Sequence, residues 1–288
     1  AMAAAAASVR PYRVLFVGAG LATGAAVAAL RASRAAVDIT VVDKARGCGG
    51  RLATRRATAM DDGGGGVASV DLGLQYVTRG AGSSDLAGVY DDLTAAGVLT
   101  TLRGAIRHQQ AAQKELLNYV APAGASSIVK HLLAGADGAD GDGRGDGSVA
   151  LRVQYGRRVA AVNAVPAAGG GDRKVWRAEC GGAAGVDGEF DAVVLTAPAP
   201  QVLELRGGVA DAIADDAALA AGAASVSFSS RYALGLFFGA DDAAARAAVE
   251  AAMPQPLCAW YVGADEDDVV RFLAVDNAKR GMGGGGGG

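Results

Sequence analysis

Small residues and a carboxylate near the N-terminus have the spacing of a dinucleotide-binding turn. Gly18, Ala19 and Gly20 follow an apolar run at residues 14–17, and Asp43 ends a second apolar run 23 residues after Gly20. Small residues let backbone N–H groups close on a pyrophosphate at a helix N-terminus. A carboxylate about 20 residues further on can accept hydrogen bonds from ribose hydroxyls. This order predicts a bound adenine dinucleotide, and therefore redox chemistry.

The glycine spacing departs from the strict G-x-G-x-x-G fingerprint. Thr23 stands where a third glycine would fall, and Gly24 supplies a glycine one residue later. Thr23 is small enough for a tight turn, and Gly24 lets the following helix approach the strand. The strand before the turn, the helix after it and the later carboxylate favour a dinucleotide site over a small-residue turn that binds nothing.

A second glycine turn that carries a cation follows shortly afterwards. Gly49, Gly50 and Arg51 come a few residues after Asp43 and Lys44. The backbone of such a turn can approach a phosphate while the guanidinium offers charge-assisted hydrogen bonds, and Lys44 adds positive charge. The alternatives are a solvated loop with its cations at the surface and an Asp43 that only caps the end of a strand.

Composition excludes several classes of protein. The 288 residues, 51% of them hydrophobic, suffice for one large domain or two intimate ones. The net charge of −3 without a basic patch argues against a nucleic-acid partner. Cys48, Cys180 and Cys258 are too far apart for a disulfide framework or metal cluster and fit a reducing, cytoplasmic compartment. No apolar run reaches 18 residues, so no transmembrane helix is expected.

Apolar periodicity places these residues on an α/β framework. Helical spacing predicts helices over residues 22–33, 86–96, 126–133 and 210–221. Alternating or continuous apolar runs predict strands over residues 14–17, 39–42, 149–165 (a hairpin-like pair), 175–180, 190–196, 225–238 and 269–275. One βαβ unit followed by strand-rich sequence indicates a nucleotide-binding layer and a sheet-based substrate layer.

The chain resembles the renalase family of FAD-dependent oxidoreductases, which is related to the flavin amine oxidases, over most of residues 13–280. The resembling stretches are collinear: residues 17–21, 42–44, 49–51, 71–76, 120–122, 126–132, 194–198, 229–237 and 275–280. The resemblance implies an α/β fold with a Rossmann-like FAD/NAD(P)-binding domain and a second, mixed-sheet substrate domain. It assigns residues 12–82 and 149–208 to the FAD-binding domain, and 83–135 and 209–281 to the substrate domain. Residues 136–148 are expected to form a Gly/Asp-rich insertion, and 282–288 a polyglycine tail.

The resemblance also implies which residues hold the cofactor. Residues 71–76 would pass close to the isoalloxazine, where Gly73 permits close backbone approach and Gln75 offers an amide; a polar edge strand is the alternative. We expect FAD to be bound by Gly18, Ala19, Gly20, Thr23, Gly24, Asp43, Lys44, Gly50, Arg51, Gln75, Tyr76, Val159, Thr196 and Pro198. Arg231 and Asn277 are candidates at the mouth of the substrate site.

The implied reaction oxidises aberrant dihydro isomers of NAD(P) with oxygen and yields NAD(P)+ and hydrogen peroxide. Because the cofactor carries hydride chemistry, no catalytic side chain and no metal are assigned, and His108 and His131 are interpreted as structural. The alternatives are another flavin oxidoreductase, acting on amines or lipid-like substrates, and a non-catalytic scaffold. The family's late Gly-Asp-Gly type stretch, which closes on the flavin, has no match after Asn277. We therefore expect these 288 residues to retain flavin weakly and turn over little.

Overall fold

The computed structural model describes residues 10–57, 68–80, 86–114, 116–134, 143–144, 149–167, 173–181, 185–239 and 241–282. Residues 283–288 of the predicted polyglycine tail and all of the predicted insertion except residues 143–144 lie outside them. The chain divides into two compact units. The first comprises Ala1–Gly50 and Leu132–Ser230, and the second comprises Arg51–His131 and Arg231–Gly288. The assignment of segments to cofactor and substrate domains stays a prediction.

The described residues begin with a strand, a helix and a second strand, and further strands and helices follow. The strands are β1 (Tyr12–Val17), β2 (Val37–Val42), β3 (Thr54–Arg56), β4 (Ser69–Asp71), β5 (Val77–Arg79), β6 (Thr100–Thr101), β7 (Ala105–Arg107), β8 (Leu117–Val120), β9 (Gly143–Arg144), β10 (Val149–Gln154), β11 (Val159–Pro166), β12 (Lys174–Cys180), β13 (Ala192–Leu195), β14 (Leu257–Tyr261) and β15 (Phe272–Ala274). The helices are α1 (Leu21–Ala32), α2 (Ala87–Ala95), α3 (Ala111–Lys114), α4 (Ser126–Ala134), α5 (Ala199–Val202), α6 (Gly208–Asp215), α7 (Ala217–Ser225), α8 (Ala243–Ala252) and α9 (Asp276–Lys279).

The first unit is built on a five-stranded sheet in the order β13-β1-β2-β10-β9. The strands β13, β1, β2 and β10 are parallel, and β9 is antiparallel to β10. In this register Leu15 of β1 lies opposite Thr40 of β2 and Val193 of β13. The parallel strands have the order of a nucleotide-binding half of a Rossmann fold, with α1 as the crossover between β1 and β2. The predicted Rossmann-like α/β class is therefore confirmed.

Both faces of this sheet are covered, which explains its continuous apolar strands. Val14, Leu15 and Phe16 are all buried although successive residues of a strand point to opposite faces. One face packs against the antiparallel hairpin β11–β12 through a cluster centred on Leu15, Val42 and Val162. The helix α1 is rich in alanine, a strong helix former, and buries Val27 completely.

The second unit contains three small sheets. Strands β15, β14 and β7 form a mixed sheet, because β14 is antiparallel to β15 and parallel to β7. Strands β5, β8 and β6 form an antiparallel sheet, and β3 pairs with β4. Ile106, Cys258 and Ala259 form a buried cluster under the mixed sheet. The expected second, mixed sheet is thus present.

Of the two late strand predictions, the first is wrong and the second is confirmed only in part. Residues 226–239 have no regular secondary structure, although Tyr232, Leu234 and Leu236 alternate as in a strand and are exposed. An alternating apolar pattern indicates that one face of a segment is apolar, but a strand also needs hydrogen bonds from its backbone to a neighbouring strand. None of the described strands pairs with this segment. Only β15 forms within residues 269–275, because the Asp267 carboxylate accepts hydrogen bonds from the N–H groups of Val269 and Val270 and closes a turn there.

Two further predictions were right about the type of element but wrong about how the elements pair or connect. Residues 149–165 do form two strands, but β10 joins the parallel sheet beside β2 and β11 pairs with β12, so they are not a hairpin. The helix predicted over residues 210–221 is divided into α6 and α7 at Asp216. The Asp216 carboxylate caps α7 by accepting hydrogen bonds from the N–H groups of Ala218 and Leu219. The helices predicted over 86–96 and 126–133 are confirmed as α2 and α4.

Replacing Leu15 by alanine should destabilise the first unit by about 2–5 kcal/mol, because it leaves a cavity in a core that cannot fully collapse. Urea unfolding of the purified chain measures the change. Leu219→Ala is the matched control, since Leu219 is 52% exposed. Equal losses for both variants would contradict the placement of Leu15 in the core.

Candidate cofactor-binding site

The start of α1 is open to an anion. Gly20, the residue before the helix, has an extended backbone, and no side chain forms a capping hydrogen bond there. The first turn of α1 also carries no acidic residue. The first backbone N–H groups of a helix have no partner within the helix and carry the positive end of its dipole. This turn can therefore bind a phosphate or pyrophosphate group.

Two threonine hydroxyls form hydrogen bonds with the backbone of the turn before α1. Gly18 has φ +115°, and a Cβ on it would lie 2.5 Å from the hydroxyl oxygen of Thr196. The Thr23 hydroxyl donates to the Gly18 carbonyl (2.5 Å) and lies 2.9 Å from the Thr196 hydroxyl. Thr196, which directly follows β13, donates to the carbonyl of Val17 or Gly18. The threonine that replaces the third glycine of the fingerprint thus fastens the turn to the neighbouring strand.

Asp43 joins the same turn to the loop after β2. Its Oδ2 accepts a hydrogen bond from the Ala19 N–H (2.7 Å), and its Oδ1 accepts one from the Ala45 N–H (2.7 Å). An ionised carboxylate has about four acceptor positions, so Asp43 keeps acceptor capacity for ribose hydroxyls. The carboxylate therefore has a structural role and remains suited to the predicted binding role.

The second glycine turn lies against the first. The Gly49 N–H donates to the Ala19 carbonyl (2.9 Å), and Gly20 and Gly49 form an isolated parallel bridge. Gly50 has φ +57°, and a Cβ on it would lie 3.7 Å from the Cα of Gly20. That contact is an ordinary van der Waals distance, so glycine is favoured at position 50 by its positive φ and not by lack of space.

The structure brings most of the predicted residues of the first unit together. Those grouped at the start of α1 are Gly18, Ala19, Gly20, Thr23, Gly24, Asp43, Gly50 and Thr196. Lys44 donates to the Gln201 side chain (3.0 Å). Pro198 precedes α5, and its carbonyl accepts from the Gln201 N–H. Val159 is the buried first residue of β11.

In the second unit, Gly73 makes its close approach to the backbone of Arg51. A Cβ on Gly73 would collide with the Arg51 carbonyl oxygen, which accepts a hydrogen bond from the Leu74 N–H (3.2 Å). The Gln75 amide is engaged at both ends. Its Nε2 donates to the carbonyls of Asp71 (2.6 Å) and Gly73 (3.2 Å), and its Oε1 accepts from Lys279 Nζ (3.1 Å). Gln75 is thus part of the internal structure of this segment.

Four charged side chains that the sequence analysis did not select are buried together in this unit. Arg280 contacts Asp71 (2.8 Å) and Asp276 (2.6 Å), and Lys279 contacts Asp276 (2.6 Å). The two cations are 1% exposed, and the carboxylates are 5% and 10% exposed. The cluster has no net formal charge. The spacing of Asp276, Lys279 and Arg280 on one helix was visible in the sequence, but their pairing with Asp71 was not.

A tyrosine pair lies in the same unit. The hydroxyl oxygens of Tyr76 and Tyr261 are 2.7 Å apart, and the Tyr261 ring meets Phe272 edge-on at 4.9 Å between centroids. Burial, and then the hydrogen bond with Tyr76, raise the pKa of Tyr261 well above its ordinary value, so this hydroxyl stays protonated. The candidate substrate residues are both exposed: Arg231 lies in the irregular segment and Asn277 in α9.

Among the described residues, no group of three or more His, Cys, Asp or Glu side chains is arranged to hold a metal ion. None of the helices in this part of the chain is both long and apolar enough to cross a bilayer.

Comparison with known proteins supports the assignment of the turn. The family of NAD(P)-binding Rossmann-like domains matches residues 17–93. The chain is 31% identical to mouse renalase over 271 residues, which cover 93% of this chain and 67% of renalase.

Two solved structures resemble the fold at low identity. One is a proposed protoporphyrinogen oxidase from Exiguobacterium sp. 255-15, with TM-score 0.40 and 14% identity, covering 67% of this chain and 61% of that chain. The other is the tetracycline destructase Tet(51), with TM-score 0.35 and 13% identity, covering 64% of this chain and 37% of that chain. The chain thus spans less than two thirds of the length of these two proteins.

A Rossmann-like unit with an open helix N-terminus, a following carboxylate and this sequence similarity define a flavin-dependent oxidoreductase. The chain belongs to the renalase family.

Replacing Asp43 by alanine should loosen the dinucleotide turn, because the N–H groups of Ala19 and Ala45 lose their acceptor. We expect faster hydrogen exchange at these two amides, and a loss of about 1–3 kcal/mol in unfolding free energy. Asp38→Ala, near the start of β2, is the control. Unchanged exchange at Ala19 would show that Asp43 does not hold the turn.

Replacing Arg280 by methionine should destabilise the protein by about 3–5 kcal/mol, because Asp71 and Asp276 would keep buried charges without their partner. Arg158→Met removes an exposed ion pair with Glu204, in which the side chains are 67% and 59% exposed. That control should change stability by no more than about 1 kcal/mol. Similar unfolding curves for the two variants would contradict the burial of the cluster.

Proposed function

We propose that the protein is an FAD-dependent oxidase of aberrant dihydro isomers of NAD(P), with oxygen as the electron acceptor. The observation that carries the proposal is the uncapped N-terminus of α1, enclosed by two glycine turns and followed by Asp43. Membership of the renalase family supports the substrate class.

The charge of −3 gives no support to a nucleic-acid partner. The three free cysteines fit a reducing compartment such as the cytoplasm.

The residues present fit an FAD molecule. Backbone N–H groups at the start of α1 would bind the pyrophosphate, and Gly18, Gly20 and Gly50 leave room for it. Asp43 would accept the hydroxyls of the adenosine ribose, and its charge would disfavour a ribose 2′-phosphate. Arg51 would add charge-assisted hydrogen bonds to the phosphates.

When bound, FAD would supply the acceptor for a hydride of the dihydronicotinamide, with oxygen as the final electron acceptor; the overall reaction would consume one proton and form hydrogen peroxide. The side chains bind and orient the reactants. In this proposal Tyr76 belongs to the FAD site, and Arg231 and Asn277 belong to the substrate side. No side chain needs to act as a general base, because the hydride leaves the substrate carbon directly.

The test is to purify the chain, record its visible spectrum and titrate it with FAD. The flavin should then be reduced rapidly by dihydronicotinamide isomers carrying the hydride on the wrong ring carbon, and hydrogen peroxide should accumulate in air. Reduction by simple amines in preference to these isomers would indicate a different flavin oxidoreductase. A protein that neither contains nor binds FAD would refute the proposal.

Replacing Arg51 by alanine should weaken FAD binding by about 1.5–3 kcal/mol, or about 10- to 150-fold, because a charge-assisted phosphate contact is lost. Fluorescence titration of FAD at dilute protein measures the dissociation constant. Arg55→Ala removes an exposed cation from the neighbouring β3 and should leave FAD affinity near the wild-type value. If wild type and Arg51→Ala bind FAD with equal affinity, Arg51 does not contribute to FAD binding.

A further inference from the structure

We propose that Lys279 and Gln75 are positioning residues for Arg51, connected to its backbone by a chain of hydrogen bonds. The proposal rests on the proposed function, because the role of Arg51 is to bind the FAD phosphates. Neither side chain needs to touch the cofactor. All of the connected groups lie within the second unit, so the argument uses contacts of that unit alone.

The chain of contacts has three steps. Lys279 Nζ donates to Gln75 Oε1 at 3.1 Å. Gln75 Nε2 donates to the carbonyls of Asp71 at 2.6 Å and Gly73 at 3.2 Å. The next residue, Leu74, donates its N–H to the Arg51 carbonyl at 3.2 Å. A buried ammonium is thereby connected to the backbone of the predicted phosphate-binding residue.

The ammonium determines which way the Gln75 amide points. A lysine ammonium has three donors and no acceptor, so it must face the oxygen of the amide. The nitrogen of the amide then faces the two backbone carbonyls, which are acceptors. Removing the Lys279 side chain would remove this preference, so that the amide is free to turn over or leave.

Lys279 is placed for an internal role of this kind. Its side chain is 1% exposed, and it contacts Asp276 at 2.6 Å. A buried lysine is costly unless its charge is paired, so the Asp276 contact and the neighbouring Arg280 cluster retain it there. Arg280 itself is occupied by Asp71, Asp276 and the Ser69 hydroxyl. Among these cations, Lys279 is therefore the one that contacts Gln75.

Gly73 transmits the position of the segment to Arg51. The Arg51 carbonyl oxygen lies so close to the Cα of Gly73 that any Cβ would collide with it. A displacement of the backbone at residues 73–74 would therefore displace the backbone of Arg51. Steric contact and one hydrogen bond together couple the two segments.

The experiment uses the full chain with Gln75→Leu, Lys279→Met and Lys279→Arg. Hydrogen exchange at the Leu74 amide is measured without FAD, and FAD affinity is measured by titration well below the melting temperature. Gln75→Leu and Lys279→Met should speed Leu74 exchange and weaken FAD binding about 5- to 30-fold, as expected for the loss of one or two hydrogen bonds. Lys279→Arg retains a cationic donor and should restore most of the affinity.

Thr78→Val is the control within the same unit, because it removes the hydroxyl that donates to Asn118 at 2.7 Å. It should leave both Leu74 exchange and FAD affinity unchanged. Where Lys279→Met fails to fold, Gln75→Leu decides the outcome, since it leaves all four buried charges paired. A variant that lowers the melting temperature while FAD affinity stays at the wild-type value would show a purely structural role and overturn the proposal.

Two failures are distinguishable. Wild-type protein that does not bind FAD would refute the proposed function and, with it, the ligand of Arg51. Wild-type protein that binds FAD, with unchanged Leu74 exchange and unchanged affinity in Gln75→Leu, would refute the positioning role alone.

Discussion

The first unit depends on keeping the backbone N–H groups at the start of α1 in place without capping them. The side chains around the turn bond to its other polar groups: Asp43 to the Ala19 N–H, and Thr23 and Thr196 to carbonyls of the preceding residues. The Gly49 N–H donates a hydrogen bond to the Ala19 carbonyl. The turn is therefore rigidly held while the helix N-terminus stays available to an anion, which is the arrangement that dinucleotide binding requires.

The second unit faces a different constraint, because it buries four charges. Burial of each ion is costly, and the cost is offset only when every charge has a close partner. Asp71, Asp276, Lys279 and Arg280 satisfy this condition as a neutral group. The Asp71 carboxylate also accepts from the Thr54 hydroxyl and the Ala125 N–H, so three separate chain segments meet at one side chain. Such a cluster specifies one arrangement of these segments.

The sequence analysis predicted the strand-turn-helix arrangement of the first unit correctly, because that information is local. Gly18, Gly20, Thr23 and Asp43 lie within one βαβ unit, where strand, turn and helix follow directly along the chain. It failed for residues 225–238, where an alternating apolar pattern predicted a strand. It could not show that Gln75 contacts Lys279, since these residues are separated by 204 positions. Gly73 was expected to let the backbone approach the flavin, and that stays a prediction; the structure shows that it lies close to the Arg51 backbone within its unit.

The amino-acid sequence by itself determined the Rossmann-like class and the glycine turn before α1, because apolar periodicity and glycine spacing act between near neighbours. The family followed from the resemblance of collinear stretches along the chain. The tertiary structure decided which groups hold that turn, which strands pair and where the buried charges find their partners. Those outcomes depend on contacts between distant segments, and a pattern along the chain does not state which segments meet. The Thr23–Thr196 pair illustrates the difference: each threonine was a candidate, and only folding brought their hydroxyls to 2.9 Å.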